Sequence, residues 1–360
     1  MEQKVLNENP RYYSCRYINE FNMIFRGRFD ENNPGIRLCC APVKNTPTSV
    51  FGKTGKETVE NFIEMRNALI TNAKNHSSSS SPPPPPEQFI NDCNKCEYYK
   101  LNEWKNNNFI KTVHFSVYPS PCQCKCIYCV IPNIYRYENN DKYVVDYYNI
   151  MFDAANYLKK TSMISPNTHW HISSGEITIH PHKDEIYNLV KNDPVHFLTN
   201  CFIYDEKIGN ILKTNPNSKI NLSIDAGTSE TWHKVKSFNN FDKIIENLNK
   251  YHENCTQNNQ IFLKYIILPG LNDNYDDFAF IIKLMKTLNI NFLHISRELI
   301  YKTNYLNSEK LIEAVGCFVA MLSKNDINSN MQYYNPKERE AIIEYAQNLL
   351  DNETEVLLLS

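Results

Sequence analysis

Cys122, Cys126 and Cys129 stand as Cys-x3-Cys-x2-Cys inside the run Ser120-Pro-Cys-Gln-Cys-Lys-Cys-Ile-Tyr-Cys129. Three thiolates this close converge on one soft metal centre from a single loop, a crowding that a bridge-forming pair does not need. Iron–sulfur clusters are held by Cys thiolates and usually take four. Three in one tight loop leave one iron of a cubane open to a substrate or a cofactor. The loop therefore points to chemistry at the metal rather than to plain electron storage. A zinc knuckle and a redox disulfide are the other readings of this spacing.

The bulk properties narrow the setting. A chain of 360 residues holds one large domain, or one domain with an appendage. The formal net charge of −2 gives no reason to expect a broad basic face, so nucleic acid is not indicated. No apolar stretch is long enough to span a bilayer, and no charged-then-apolar signal follows Met1. The chain reads as cytoplasmic. Twelve Cys in a reducing compartment point to metal ligands rather than disulfides. Cys201, Cys255 and Cys317 lie apart and read as small core or surface residues.

The elements that must position the thiols follow from periodicity. Ser77–Ser81 and Pro82–Pro86 form a low-complexity tract that cannot join a packed core. It reads as an exposed flexible loop at 77–86, or a linker, within an N-terminal Cys-containing region spanning 1–108. Beyond it, strands are expected at Ile110–Tyr118, Thr168–Ser173, Val195–Cys201, Lys219–Asp225, Gln260–Leu268 and Asn291–Glu298. Helices are expected at Tyr143–Lys160, Lys183–Lys191, Asp205–Lys213, Glu230–His252 with a break near Ser237–Asn240, and Tyr275–Leu288. Two more, Ser308–Ser323 and Pro336–Leu350, fall in a C-terminal helical extension at 301–360. Strand–helix alternation repeated six times argues for an α/β fold with a parallel sheet and crossover helices. Active sites of such sheets sit at the C-terminal strand ends.

The Cys loop, with Tyr128 directly before its last Cys, resembles the signature loop of the radical S-adenosylmethionine (SAM) enzymes. The six units at 109–300 match that family's partial (β/α)6 TIM-like barrel. The resemblance implies a [4Fe–4S] cluster on Cys122, Cys126 and Cys129, with Cys124 outside the ligand spacing. Its open iron chelates the methionine end of SAM, and one electron then yields a 5′-deoxyadenosyl radical that abstracts a substrate hydrogen. Ser174-Gly175-Glu176 is similar to the family's Gly-Gly-Glu segment, with Ser174 in place of the first Gly. Glu176 is thereby expected to meet the methionine ammonium. Ser223 and Asp225 share one strand face and are expected to hold SAM's polar groups. The backbone near Tyr128 is expected at adenine, and Asn200, Lys264 and Ser296 are further inward candidates. His114 and His171 read as core strand residues. The implied electron donor is a reductase or a flavodoxin- or ferredoxin-type protein. The implied substrate is a peptide or protein, with a sugar or amino acid as the alternative. The rival from another class is a non-catalytic zinc or iron–sulfur scaffold.

Five cysteines precede these strands: Cys15, Cys39, Cys40, Cys93 and Cys96. Cys15, Cys39 or Cys40, Cys93 and Cys96 make up a tetrathiolate set for a second [4Fe–4S] cluster or a structural zinc. This Cys-rich extension is loosely similar to SPASM-type auxiliary-cluster regions, which usually follow the barrel. The bland reading is reduced, unpaired thiols.

Overall fold

The computed structural model describes residues 11–26, 35–39, 46–77, 81–82, 93–96, 98–104, 108–116, 121–129, 142–173, 175–298 and 308–352. The chain divides into two compact units. One takes 1–120, 137–175 and 188–195, and the other takes 121–136, 176–187 and 196–360.

The first unit opens with β1 (Arg11–Ser14), a single turn α1 (Arg16–Asn19), and three short strands: β2 (Asn22–Arg26), β3 (Gly35–Arg37) and β4 (Thr48–Val50). Helix α2 (Gly55–Asn75), β5 (Lys100–Glu103), β6 (Ile110–Ser116), α3 (Lys142–Lys160) and β7 (Ile164–Ser173) complete it. β1 and β5 form an antiparallel ribbon of their own. β2, β6 and β7 run parallel, and β3 and β4 extend the β2 edge antiparallel. The N-terminal region thus supplies three strands to the sheet of β6 and β7, which a reading of 1–108 as an appended extension did not include. Alternation on β6 drives the packing. Val113 and Phe115 are fully buried, and the Phe115 ring meets Phe25 at 5.6 Å and Phe152 of α3 at 5.4 Å.

The chain then passes through α4 (Lys183–Val190) into β8 (Val195–Leu198), α5 (Glu206–Thr214), β9 (Lys219–Ser223), α6 (Ser229–Lys236) and α7 (Phe241–Glu253). It continues with β10 (Ile261–Ile267), α8 (Tyr275–Thr287), β11 (Phe292–Arg297), α9 (Ser308–Ser323), β12 (Asn328–Gln332) and α10 (Pro336–Asp351). β8 to β12 pair in chain order, all parallel. The α/β class with parallel strands and crossover helices is as expected, and no closed barrel forms among the described residues. The break between α6 and α7 falls where it was expected, with Ser237 and Asn240 both left-handed at φ 50° and 71°. One face of β9 to β11 is the core. Ile220, Leu222, Leu263, Tyr265, Leu293 and Ile295 are fully buried. The Phe278 and Phe318 rings stack at 4.0 Å under Tyr265. β12 is unexpected from sequence: its Asn-Ser-Asn-Met-Gln run lacks the β-branched and aromatic residues that mark strands. No described helix is long and apolar enough to cross a membrane.

Candidate functional site

The cysteine loop is held by backbone hydrogen bonds to Glu176 and to a helix end of its own unit. Lys125 N donates to Lys236 O at 2.9 Å and Ile127 N to Val235 O at 3.0 Å. These are carbonyls of the last turn of α6, which have no partner within the helix. Glu176 N donates to Pro121 O at 2.8 Å, and Cys129 N to Cys126 O at 3.0 Å closes the turn carrying Tyr128.

Beneath the loop lies a buried ion pair. The Lys236 ammonium meets the Asp225 carboxylate, with side chains 3% and 0% exposed. Tyr128 bridges the two: its hydroxyl donates to Asp225 Oδ2 and accepts from Lys236 Nζ. Lys236 also donates to Ser223 O at 2.8 Å, and Asp225 Oδ1 accepts from Ile266 N at 2.6 Å. Asp225 occupies the left-handed region at φ 43°, where Asp is one of the few tolerated side chains. Its neighbour Gly227 must lack a side chain, since a Cβ there would sit 2.5 Å from Asp277 Cα. Asp277 in turn accepts from Gly227 N at 2.6 Å and Thr228 N at 3.0 Å. Burial opposes the charge on Lys236, but Asp225 and Cys126 outweigh it and its pKa is raised.

The thiols feel this charge. Cys124 is buried and stays protonated, donating to Cys122 and Cys126; their pKa values fall, Cys126 to about 6, with Lys236 adding to the effect there. Asn200 Nδ2 lies 3.8 Å from Cys122 Sγ and 3.5 Å from Cys124 Sγ, and its Oδ1 accepts from Gln123 Nε2 at 3.0 Å. Asn200 is in turn fixed by Glu176. The Glu176 carboxylate is wholly buried and accepts from Asn200 N at 2.6 Å, Thr199 Oγ1 at 2.8 Å, Thr178 Oγ1 at 2.8 Å and Thr178 N at 3.1 Å. Burial raises its pKa against those four bonds.

The residues present suit a thiolate-held group. Three half-buried thiols share one anchored loop, and Gln123 Oε1 beside them is buried with no donor among the described residues, an orphan acceptor that a bound group can satisfy. Among the described residues no three His, Cys, Asp or Glu side chains gather as for a single metal ion. A cubane takes its thiolates at separate corners and asks for a wider spread than one ion does.

Sequence reasoning placed Cys122, Cys126, Cys129, Tyr128, Glu176, Asn200, Ser223 and Asp225 at strand ends or in the loop, and the structure brings these together within one unit. Lys264 is half-buried on β10, level with Ser223. Ser296 is buried on β11 and donates to Arg297 O at 3.1 Å. Gly175 is left-handed at φ 58°, and Ser174 and Cys40 lie outside the described residues. Lys236 and Thr199 were missed. Asn272 ties the strand ends together, accepting from Leu268 N at 2.7 Å and donating to Asp225 O at 3.0 Å. The signal for Lys236 was its place directly before the helix break.

In the first unit, Cys15 follows β1 and Cys93–Cys96 precede β5, so the ribbon register brings their ends together. Cys96 is close enough to act on the Cys15 thiol, whose pKa burial raises; Cys93 and Cys15 both act on Tyr99. Cys39 is buried after β3. His114 and His171 stack at 4.5 Å across β6 and β7, with burial holding His114 down at about 4.

Residues 120–285 match the family model of the radical SAM superfamily. No curated protein matches the chain. Among solved structures, SuiB of Streptococcus suis bound to S-adenosylmethionine shares 12% identity, over 78% of this chain and 56% of that one, at a TM-score of 0.49. Methylornithine synthase PylB shares 13% over 65% and 69% of the two chains, at 0.41. A radical SAM methyltransferase from Sphaerobacter thermophilus shares 14% over 64% and 68%, at 0.39. The chain spans 56% to 65% of the length of the SuiB structures it matches.

Proposed function

We propose that this chain, whose residues 120–285 match the radical SAM superfamily model, is a radical SAM enzyme, with Cys122, Cys126 and Cys129 holding a [4Fe–4S] cluster. The observation that carries the reading is a family match that begins two residues before Cys122 and takes in the anchored loop, Glu176, Asp225 and Lys236. When bound, the cluster and SAM supply reductive cleavage to a 5′-deoxyadenosyl radical for hydrogen abstraction. The chain's own residues position and enclose. Lys236 and Asp225 fix the loop from below, and the Tyr128 hydroxyl bonds both. Glu176 spends its oxygens on Thr178, Thr199 and Asn200, so it sets Asn200 against Cys122. Its expected contact with the methionine ammonium must share a carboxylate that already takes four protein donors. The electron comes from a reductase or a flavodoxin- or ferredoxin-type donor in a reducing cytoplasm. The substrate is a peptide or a small molecule.

The test is anaerobic reconstitution with iron and sulfide, reduction with dithionite, and addition of SAM. Formation of 5′-deoxyadenosine with about four irons per chain supports the reading, and about eight adds a second cubane. Zinc bound in place of any cluster sinks it.

Cys15, Cys93 and Cys96, with Cys39 or Cys40, are proposed as an auxiliary site for a second cluster or zinc, supported by the ribbon register and the electrostatic contact of Cys96 with Cys15, although among the described residues no three of them gather as for a single metal ion. Cys96→Ala is then expected to remove the iron or zinc of that site while leaving the SAM-dependent cluster in place. Metal analysis of the purified variant decides: unchanged content means that no such site exists.

A further inference from the structure

A polar row crosses four strands of the second unit. Ser223 on β9, Lys264 on β10, His294 on β11 and Asn330 on β12 are successive register partners, so their side chains share one face. It is the face opposite Leu263, Tyr265, Leu293 and Ile295, which are buried in the core.

Lys264 is the centre of the row, half-buried. Among the described residues its ammonium has no ion pair and no hydrogen bond; its contact is the Tyr333 ring, 5.6 Å from the charge. The carboxylate that acts on it, Asp225, is already taken by Lys236 and Tyr128. Burial pushes the Lys264 pKa down, and Lys236 adds to that. An ammonium withdrawn from water without an anion is costly. A half-buried ammonium on a polar strand face is matched by a ligand that brings the missing charge.

Its neighbours suit the same ligand. His294 Nδ1 lies 2.8 Å from Asn330 Oδ1 and 3.0 Å from Gln332 Nε2. Burial, with Lys264 adding, holds the His294 pKa below its ordinary value, so the ring is neutral near pH 7. Ser223 adds a hydroxyl on the other side of Lys264.

We propose that the Ser223–Lys264–His294 row binds the carboxylate or phosphate of a small-molecule substrate, with Lys264 as its charge partner. The word substrate rests on the radical SAM reading; the anion site does not.

Per-residue acetylation of the reconstituted full chain, read by mass spectrometry, tests this without a variant. Inorganic phosphate or acetate should slow acetylation of Lys264 by about threefold or more, saturably, relative to chloride at matched ionic strength. Lys219 is the control: it lies on the same face at the far end of β9, over the Phe262 ring at 4.7 Å, and should not respond. A second arm uses Lys264→Met, which should lose the saturable anion effect on Tm. It should also melt higher in the absence of anions, by about 2 °C, because an uncompensated charge is gone. Flat labelling with both anions overturns the proposal. Full protection by SAM alone also overturns it, by assigning Lys264 to the cofactor. 5′-Deoxyadenosine is measured on a separate sample, so flat labelling leaves the radical reading standing, and failed SAM cleavage leaves the anion row standing.

Discussion

Lys236→Met will lower the unfolding free energy by about 3–5 kcal/mol, the loss typical when one partner of a buried ion pair is removed. The side chain is 3% exposed, and its removal leaves Asp225, at 0%, charged and held, among the described residues, by Tyr128 and the Ile266 N–H. Urea unfolding followed by circular dichroism measures it. A loss under about 1 kcal/mol would mean a solvated pair. Lys236→Met combined with Asp225→Asn should recover part of the loss, because the orphaned charge is then gone. The pH dependence has a defined sign. The folded pKa of Lys236 is raised, so the stability it contributes is fully present below the ordinary lysine value of about 10.4. That contribution is lost as pH rises through the higher folded value. The variant should lack this alkaline limb.

Cys126→Ala will abolish 5′-deoxyadenosine formation and remove one cluster's iron, about four per chain. Cys124→Ser is the matched comparison, two residues away in the same loop and equally part of its thiol contacts. It should keep the iron and the SAM cleavage, because Cys124 stands outside the ligand spacing. Iron analysis and product quantification on both proteins decide. If Cys124→Ser loses the cluster and Cys126→Ala keeps it, the ligand assignment is wrong.

Both experiments probe residues that were legible to different degrees. Cys126 announces itself, because thiols at that spacing have few structural uses. Lys236 does not. A lysine in the last turn of a helix is ordinarily a solvated charge that favours the helix dipole, and only the loop packed over it makes it buried. Asp225 and Glu176 were found as carboxylates at strand ends, but residue type says nothing of where the oxygens are spent. One is tied to Lys236 and Tyr128, the other to Thr178, Thr199 and Asn200. The regular part of the fold beyond Phe109 was readable from periodicity, down to α9 at Ser308–Ser323 and the α6–α7 break, but the 21-residue helix α2 before it was not expected. The short strands β2 to β5 were not. At three to five residues they are too brief for alternation to stand out. β12 is polar and is a strand because β11 offers it a ladder.

The hydrogen bonds that seat the cysteine loop on the end of α6 also set an order of events during synthesis. Tyr128 and Lys236 are 108 positions apart. At ordinary translation speeds the thiols leave the ribosome roughly 5–20 seconds before the helix that seats them. For that interval the three cysteines are a bare, mobile thiol triplet, with no buried ammonium beside them and no helix end to fix their backbone. Oxidants and zinc compete for them then, before any assembly factor meets a formed site. The yield of correctly loaded protein from a cell therefore depends on conditions during that window, and lowering oxygen during expression should do more for it than lowering oxygen during purification.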